Sequence, residues 1–275
     1  MAGYLIFIFY LFIAMGFLKL IKKWFIMLGI NLDMIFASFR WLPSYIYDYF
    51  VFKKKYVWSS PISFFPVLSD KYLESWDYKT HYFIQDLRMA KKIYNANPIK
   101  QVDIGSRIDW FVWHLAVFRE VEVLDIRPLS SEIPWVIFRQ QDCTKIDGEY
   151  SEYTDSLSCL HTIEHIWLGR YWDPIDPDWH IKLIESFNIL LKNWGKLYFS
   201  TPIGSPRIQF NAHRVFWVQE IFLLLSKYFT LHEFAYIDES FKLHENVDIN
   251  KGFWSNFDLR YGCWLFVLEK IKNIR

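Results

Sequence analysis

Glycine is scarce in this chain of 275 residues, where it occurs 10 times against 14 tryptophans. Ordinary usage is the reverse, with Gly at roughly 7% of residues. Cysteine is scarcer still. Cys143, Cys159 and Cys263 are odd in number, far apart and without CxxC spacing, which excludes a disulfide frame and a structural zinc knuckle and fits a reducing compartment. Net charge is +1, so no global field recommends nucleic acid as a partner. No GxGxxG occurs anywhere, which counts against a nicotinamide dinucleotide. What is present in quantity is apolar surface, at 53% hydrophobic residues. That is enough for a large core and excludes a disordered tail or a collagen-like fibre.

Charge is placed unevenly. Residues 19–55 hold seven bases (Lys19, Lys22, Lys23, Arg40, Lys53, Lys54, Lys55) against two acids, Asp33 and Asp48, leaving the rest of the chain mildly acidic. Ahead of them, residues 2–18 (AGYLIFIFYLFIAMGFL) carry no charge. As a helix this stretch reaches roughly 25 Å, near the lower limit for crossing a hydrocarbon core. A cleaved signal peptide would need a basic start, which residues 1–4 lack. We therefore expect a membrane-anchor helix within residues 1–30. Lys19, Lys22 and Lys23 then lie inside and the chain sits on the cytoplasmic face; an apolar helix packed on the soluble domain is the alternative. Residues 31–79 are basic and aromatic with scattered Pro and no sustained period, which predicts short helices near the membrane surface.

From residue 80 the pattern sharpens. Tyr82, Phe83, Leu87, Ala90 and Tyr94 recur at helical spacing before a stop at residues 95–98 (NANP). Strand-like runs follow at 99–104, 121–125, 136–139, 156–160 and 195–200, with helical stretches at 111–118 and 178–191. This alternation predicts a parallel α/β sheet covered on both faces. Residues 229–237 and 259–270 read as two longer strands with no crossover helix between them, hence an antiparallel pair at one edge. The expectation for residues 80–275 is a Rossmann-like, mostly parallel seven-stranded sheet with an antiparallel C-terminal strand, the architecture of class I S-adenosylmethionine-dependent methyltransferases.

An open parallel sheet binds ligands at its topological switch point. Residues 102–109 (VDIGSRID) occupy the end of the first strand. There Gly105 admits close backbone approach, and Asp103 and Ser106 sit beside it. Asp125, ending the second strand, is placed to accept from ribose hydroxyls, and Asp142, after the third, from an adenine amino group. We thus expect Asp103, Gly105, Ser106, Asp125 and Asp142 to hold S-adenosylmethionine. For methyl transfer to oxygen or nitrogen, His161, His165 and His213 are the candidate catalytic bases. His213 and Arg214 are placed first for acceptor contacts.

Together with 156–180 (SLSCLHTIEHIWLGRYWDPIDPDWH), 190–204 (LLKNWGKLYFSTPIG) and 210–216 (FNAHRVF), the first-strand motif and 125–129 (DIRPL) resemble a domain-of-unknown-function family with a methyltransferase-like fold. Its members are often associated with surface glycan genes. The resemblance covers roughly residues 76–270. It implies a small-molecule or glycan acceptor, with a lipid-linked glycan precursor as one form; a non-catalytic binding module in a glycan-assembly complex is the alternative.

The same comparison exposes a departure, since this chain has Trp where the family carries Gly: Trp41, Trp110, Trp135, Trp167, Trp172, Trp179, Trp194, Trp264 and, less surely, Trp113. Trp194 falls in an apparent helix-to-strand turn (LKNWG), where Gly would supply a positive φ. We expect many of these positions to be Gly in the living protein, decoded from a stop codon reassigned to Gly. One rival motif remains in His161-Thr-Ile-Glu164-His165, the HxxEH pattern of zinc peptidases. Its position just after a buried strand argues against metal hydrolysis, and no metal site is expected.

Overall fold

The computed structural model describes residues 21, 22, 24–57, 62–64, 67, 68, 80–169, 175–210 and 212–272. The expected anchor at 2–18, Lys19, Lys23, Trp172 and residues 173 and 174 lie outside them. Among the described residues no helix is long and apolar enough to cross a membrane. The chain divides into two compact units, Met1–Asp77 and Tyr78–Arg275.

In the first unit, helix α1 spans Leu32–Lys55 as 24 continuous residues, about 36 Å long, where short helices were expected. Asn31 starts it by accepting the Met34 N–H at 3.2 Å, as N-cap residues do. Pro43 lies inside without ending it. The sequence hid this helix because apolar and aromatic residues occur on more than one of its sides, which blurs the period. Tyr45 and Tyr49 set their rings edge-on to Phe64, at 4.9 and 5.4 Å.

The second unit begins with α2 (His81–Ala96), capped by Thr80 Oγ1 and ended by Asn97 in the left-handed conformation, where no Cβ-free residue was available. Then come β1 (Gln101–Ile104), a π turn at Ile108–Val112 running into α3 (Trp113–Ala116), β2 (Val121–Asp125), β3 (Val136–Gln140), β4 (Thr154–Leu160), α4 (Trp179–Leu190) and β5 (Leu191–Gly204). A hairpin of β6 (Arg207–Gln209) and β7 (His213–Val215), helix α5 (Val218–Leu225), β8 (Phe229–Ile237), β9 (Leu243–His244) and β10 (Tyr261–Lys270) complete it. The sheet order is β3-β2-β1-β4-β5-β10-β8-β9. Strands β1 to β5 pair in parallel, while β10 is antiparallel to both β5 and β8. This is the expected mostly parallel sheet with an antiparallel C-terminal strand, extended by the short β9.

Period-two alternation divides the core between the two faces. Along β10, Trp264, Phe266 and Leu268 join one cluster with Phe187 of α4 and Ile221 of α5; Cys263, Leu265 and Val267 join the other, with Met89 of α2 and Leu115 of α3. Both faces of the central strands are therefore closed to water, as buried parallel strands require, while β3 at the edge stays partly exposed.

Strand β5 begins at Leu191, so residues 191–195 are strand and not the expected turn, and the β4–β5 register shifts beside it. The left-handed backbone foreseen there is present nonetheless. Trp194 has φ 67°, Trp135 φ 62° and Trp167 φ 58°, a region that costs residues with a Cβ roughly 1–2 kcal/mol. Trp41, Trp110, Trp113, Trp179 and Trp264 are not among the positive-φ residues.

Candidate cofactor and acceptor site

The order of strands reverses between β1 and β4, and there the chain leaves a cavity of about 460 Å³. Its wall includes Gly105, Ser106 and Arg107 after β1, Asp125 to Arg127 after β2, Asp142 and Cys143 after β3, and His161, Thr162 and His165 after β4. Gly105 is needed at its turn. It holds φ 68°, and a Cβ there would stand 2.5 Å from Thr162 Cγ2.

The three expected carboxylates do not share one role. Asp125 and Asp142 line the cavity. Asp125 accepts the Arg127 N–H at 2.8 Å and pairs with that guanidinium at 2.5 Å; Asp142 accepts from Thr144 Oγ1 at 2.5 Å and from its N–H at 3.1 Å. Asp103 is a correction. It is buried below the turn, off the wall, where it accepts from Ser106 N and Oγ, both at 3.0 Å, and from Ser158 Oγ at 2.6 Å. Burial raises its pKa to about 6 against those hydrogen bonds. Its work is to shape the Gly105 turn.

The histidines also separate. His161, itself left-handed at φ 49°, has Nδ1 2.7 Å from Glu164 Oε1 and Nε2 3.2 Å from Cys263 Sγ. Burial opposes charge on this ring, but the Glu164 carboxylate beside it holds His161 well above the usual imidazole pKa. Burial alone would raise Glu164; the His161 cation brings it below the usual carboxylate range. With Nδ1 on Glu164 and Nε2 on Cys263, the His161 ring nitrogens are taken up inside the protein, contrary to the expected catalytic base. With both ring nitrogens engaged, the HxxEH pattern also loses its first metal ligand. His165 lines the cavity and donates Nδ1–H to Ala212 O at 2.7 Å, with Nε2 3.7 Å from Glu164.

His213 starts β7 and does not reach the cavity wall. Its ring lies 6.2 Å from that of His165 and 5.8 Å from that of Tyr261, and burial, with the neighbouring His165, lowers its pKa. Arg214 spends its guanidinium on the carbonyls of Ile166 (2.7 Å) and Asp176 (3.4 Å). The hairpin therefore backs the wall instead of presenting the expected acceptor contacts.

Asp86 is the residue the sequence reading missed. It lies on the buried face of α2, lines the cavity and accepts from Gln85 Nε2 at 2.9 Å. Burial raises its pKa from 3.8 to about 7. The available signal was two adjacent polar residues, Gln85 and Asp86, inside the apolar stripe of an amphipathic helix. Gln85 ties this helix to the rest of the site, accepting from Ser200 Oγ at 2.6 Å and from Cys263 Sγ at 3.3 Å.

A family model described as "Caenorhabditis protein of unknown function, DUF268" matches residues 133–254, less than half of the chain. Among solved structures, the chain is similar to the N-methyltransferase NodS from Bradyrhizobium japonicum WM9 in complex with S-adenosyl-L-homocysteine. Identity is 14%, coverage 69% of this chain and 86% of that one, and TM-score 0.46. It is also similar to the 1,6-didemethyltoxoflavin-N1-methyltransferase of Burkholderia thailandensis (14% identity, 68% and 79% covered, TM-score 0.45). A third is the [4+2]-cyclase SpnF (9% identity, 67% and 81% covered, TM-score 0.47). No curated protein sequence matches the chain. These likenesses concern fold alone, and one of the three is named a cyclase.

Proposed function

We propose that the chain is an S-adenosylmethionine-dependent methyltransferase acting on an oxygen or nitrogen of a small-molecule or glycan acceptor. The observation that carries this reading is a switch-point cavity whose wall combines the Gly105 turn and two strand-end carboxylates, Asp125 and Asp142, with a carboxyl on α2 poised near neutrality. Gly105 leaves room for a ligand against the backbone. Asp125 would take the ribose hydroxyls, and Asp142, beside the apolar wall of Leu124 and Ile126, the adenine end. The cofactor supplies an electrophilic methyl group on a sulfonium. The chain's own task is to hold the acceptor in line and remove its proton. Asp86 suits the second task, because a buried carboxyl titrating about pH 7 exists partly as the base at neutral pH. The His161–Glu164 pair supports the floor without exchanging a proton.

The glycan acceptor rests on the resemblance to a domain-of-unknown-function family whose members are often associated with surface glycan genes. Placement on the cytoplasmic face of a membrane rests on the uncharged stretch at 2–18 and the lysines that follow it.

Calorimetric titration with S-adenosylmethionine is expected to show one site, and Asp125→Ala to lose binding at least tenfold. Asp86→Asn should bind the cofactor normally yet turn it over slowly, and the wild-type rate should rise with pH through about 7 as Asp86 ionises. Absence of binding overturns the reading; binding without turnover on any glycan extract favours the non-catalytic module.

A further inference from the structure

Helix α1 carries an apolar stripe whose phenylalanines are exposed. Leu32, Phe36, Phe39, Pro43, Ile46 and Phe50 follow each other at alternating spacings of four and three, so they fall on one side of the helix. Phe36 is 72% exposed, Phe39 74% and Phe50 62%. Single exposed apolar residues are ordinary, but a continuous apolar row with three exposed phenylalanines marks a partner. The partner's chemistry is set by the flanking charges. At 3.6 residues per turn, Arg40 and Lys53 border the stripe, Lys54 ends it one turn beyond Phe50, Asp48 falls on the far side, and Asp33 is taken up by an ion pair with Lys22. Apolar rings bordered by cations match a bilayer surface with anionic headgroups, into which such a helix lies flat.

We propose that α1 is a membrane-surface helix that seats Phe36, Phe39 and Phe50 in an anionic bilayer while its long axis runs parallel to the surface. This contact is separate from any span at 2–18 and independent of the methyltransferase reading. The three native thiols are buried, so a single added cysteine can carry an environment-sensitive fluorophore in the full chain. With vesicles of phosphatidylcholine and phosphatidylglycerol, a label at Phe39→Cys should shift to the blue and become accessible to a lipid-borne quencher. A label at Asp48→Cys should stay aqueous. The Phe39 shift should weaken with pure phosphatidylcholine. An unchanged Phe39 label, equal shifts at both positions, or a Phe39 label already shielded without vesicles, as it would be under another segment or a second copy, overturns the proposal.

A second inference has independent support. Trp135, Trp167 and Trp194 hold left-handed backbone, and the buried indole N–H groups of Trp167, Trp179 and Trp264 have no hydrogen-bond partner. The two marks fall on five positions, and each residue type pays for what glycine would avoid, either a Cβ at positive φ or an orphaned donor. We infer that positions 135, 167 and 194 are glycine in the protein made by its own cells, through a codon read there as Gly. Peptide mass spectrometry of that native protein should find Gly at residue 194; Trp there, or a UGG codon in the gene, overturns the inference.

Discussion

Two left-handed positions of this molecule, one in the turn after β1 and one within β5, share a backbone angle and differ in what packs against them. Gly105 has φ 68° and Trp194 φ 67°. At the first, the turn sits on the cavity wall with Thr162 packed beneath it, so a side chain has neither a permitted conformation nor a place to go. At the second, the indole is 63% exposed, and only the conformational cost applies. The comparison teaches that a left-handed position is intolerant in proportion to what packs against it, and that an exposed one bears a Cβ at the conformational cost alone.

The predictions probe that difference, beginning with the largest effect. Gly105→Ala adds a Cβ against Thr162 and keeps the positive φ, so it should cost about 2–4 kcal/mol in chemical denaturation and remove cofactor binding. Asp86→Asn tests the polar wall next to that turn. The folded pKa lies above the unfolded one, so ionisation penalises the fold once pH rises past 3.8, and the penalty grows until about 7. The substitution should therefore stabilise the protein by about 2–4 kcal/mol at pH 8 and have little effect at pH 4. A stability difference independent of pH would contradict this. Trp194→Gly should stabilise by about 1–2 kcal/mol, whereas Trp194→Ala, which keeps a Cβ at positive φ, should change stability by less than about 0.5 kcal/mol. Equal gains from both would show that the side chain, and not the backbone, carries the cost.

Much of the sheet was legible because its signals are local. The runs at 121–125 and 229–237 were bounded correctly, since β-branched and aromatic residues between polar turns specify strands without tertiary help. Helix α5 (Val218–Leu225) was not foreseen: residues 218–225 (VQEIFLLL) are too short and too uniformly apolar for a period to separate helix from strand. The site was legible at its strand ends, where Asp125 and Asp142 line the cavity, and illegible where roles depend on partners distant in sequence. Asp103 turned out to serve the turn because Ser158, 55 residues later, completes its shell. His161 is taken up by Glu164 and Cys263, and the second of these lies 102 residues away. Asp86 carried a faint signal, but its raised pKa depends on burial that α2 alone cannot announce.

Strand β10 is the latest in the sequence yet lies in the interior of the sheet, bonded on one side to β5 and on the other to β8. Until residues 261–270 arrive, both neighbours present unpaired edges, and the nascent product is exposed to self-association. The thiol that meets His161 belongs to the same strand. Assembly of the sheet and completion of the floor under the cavity are thus one event, demanding pairing across a long sequence separation, which sets a slow folding step.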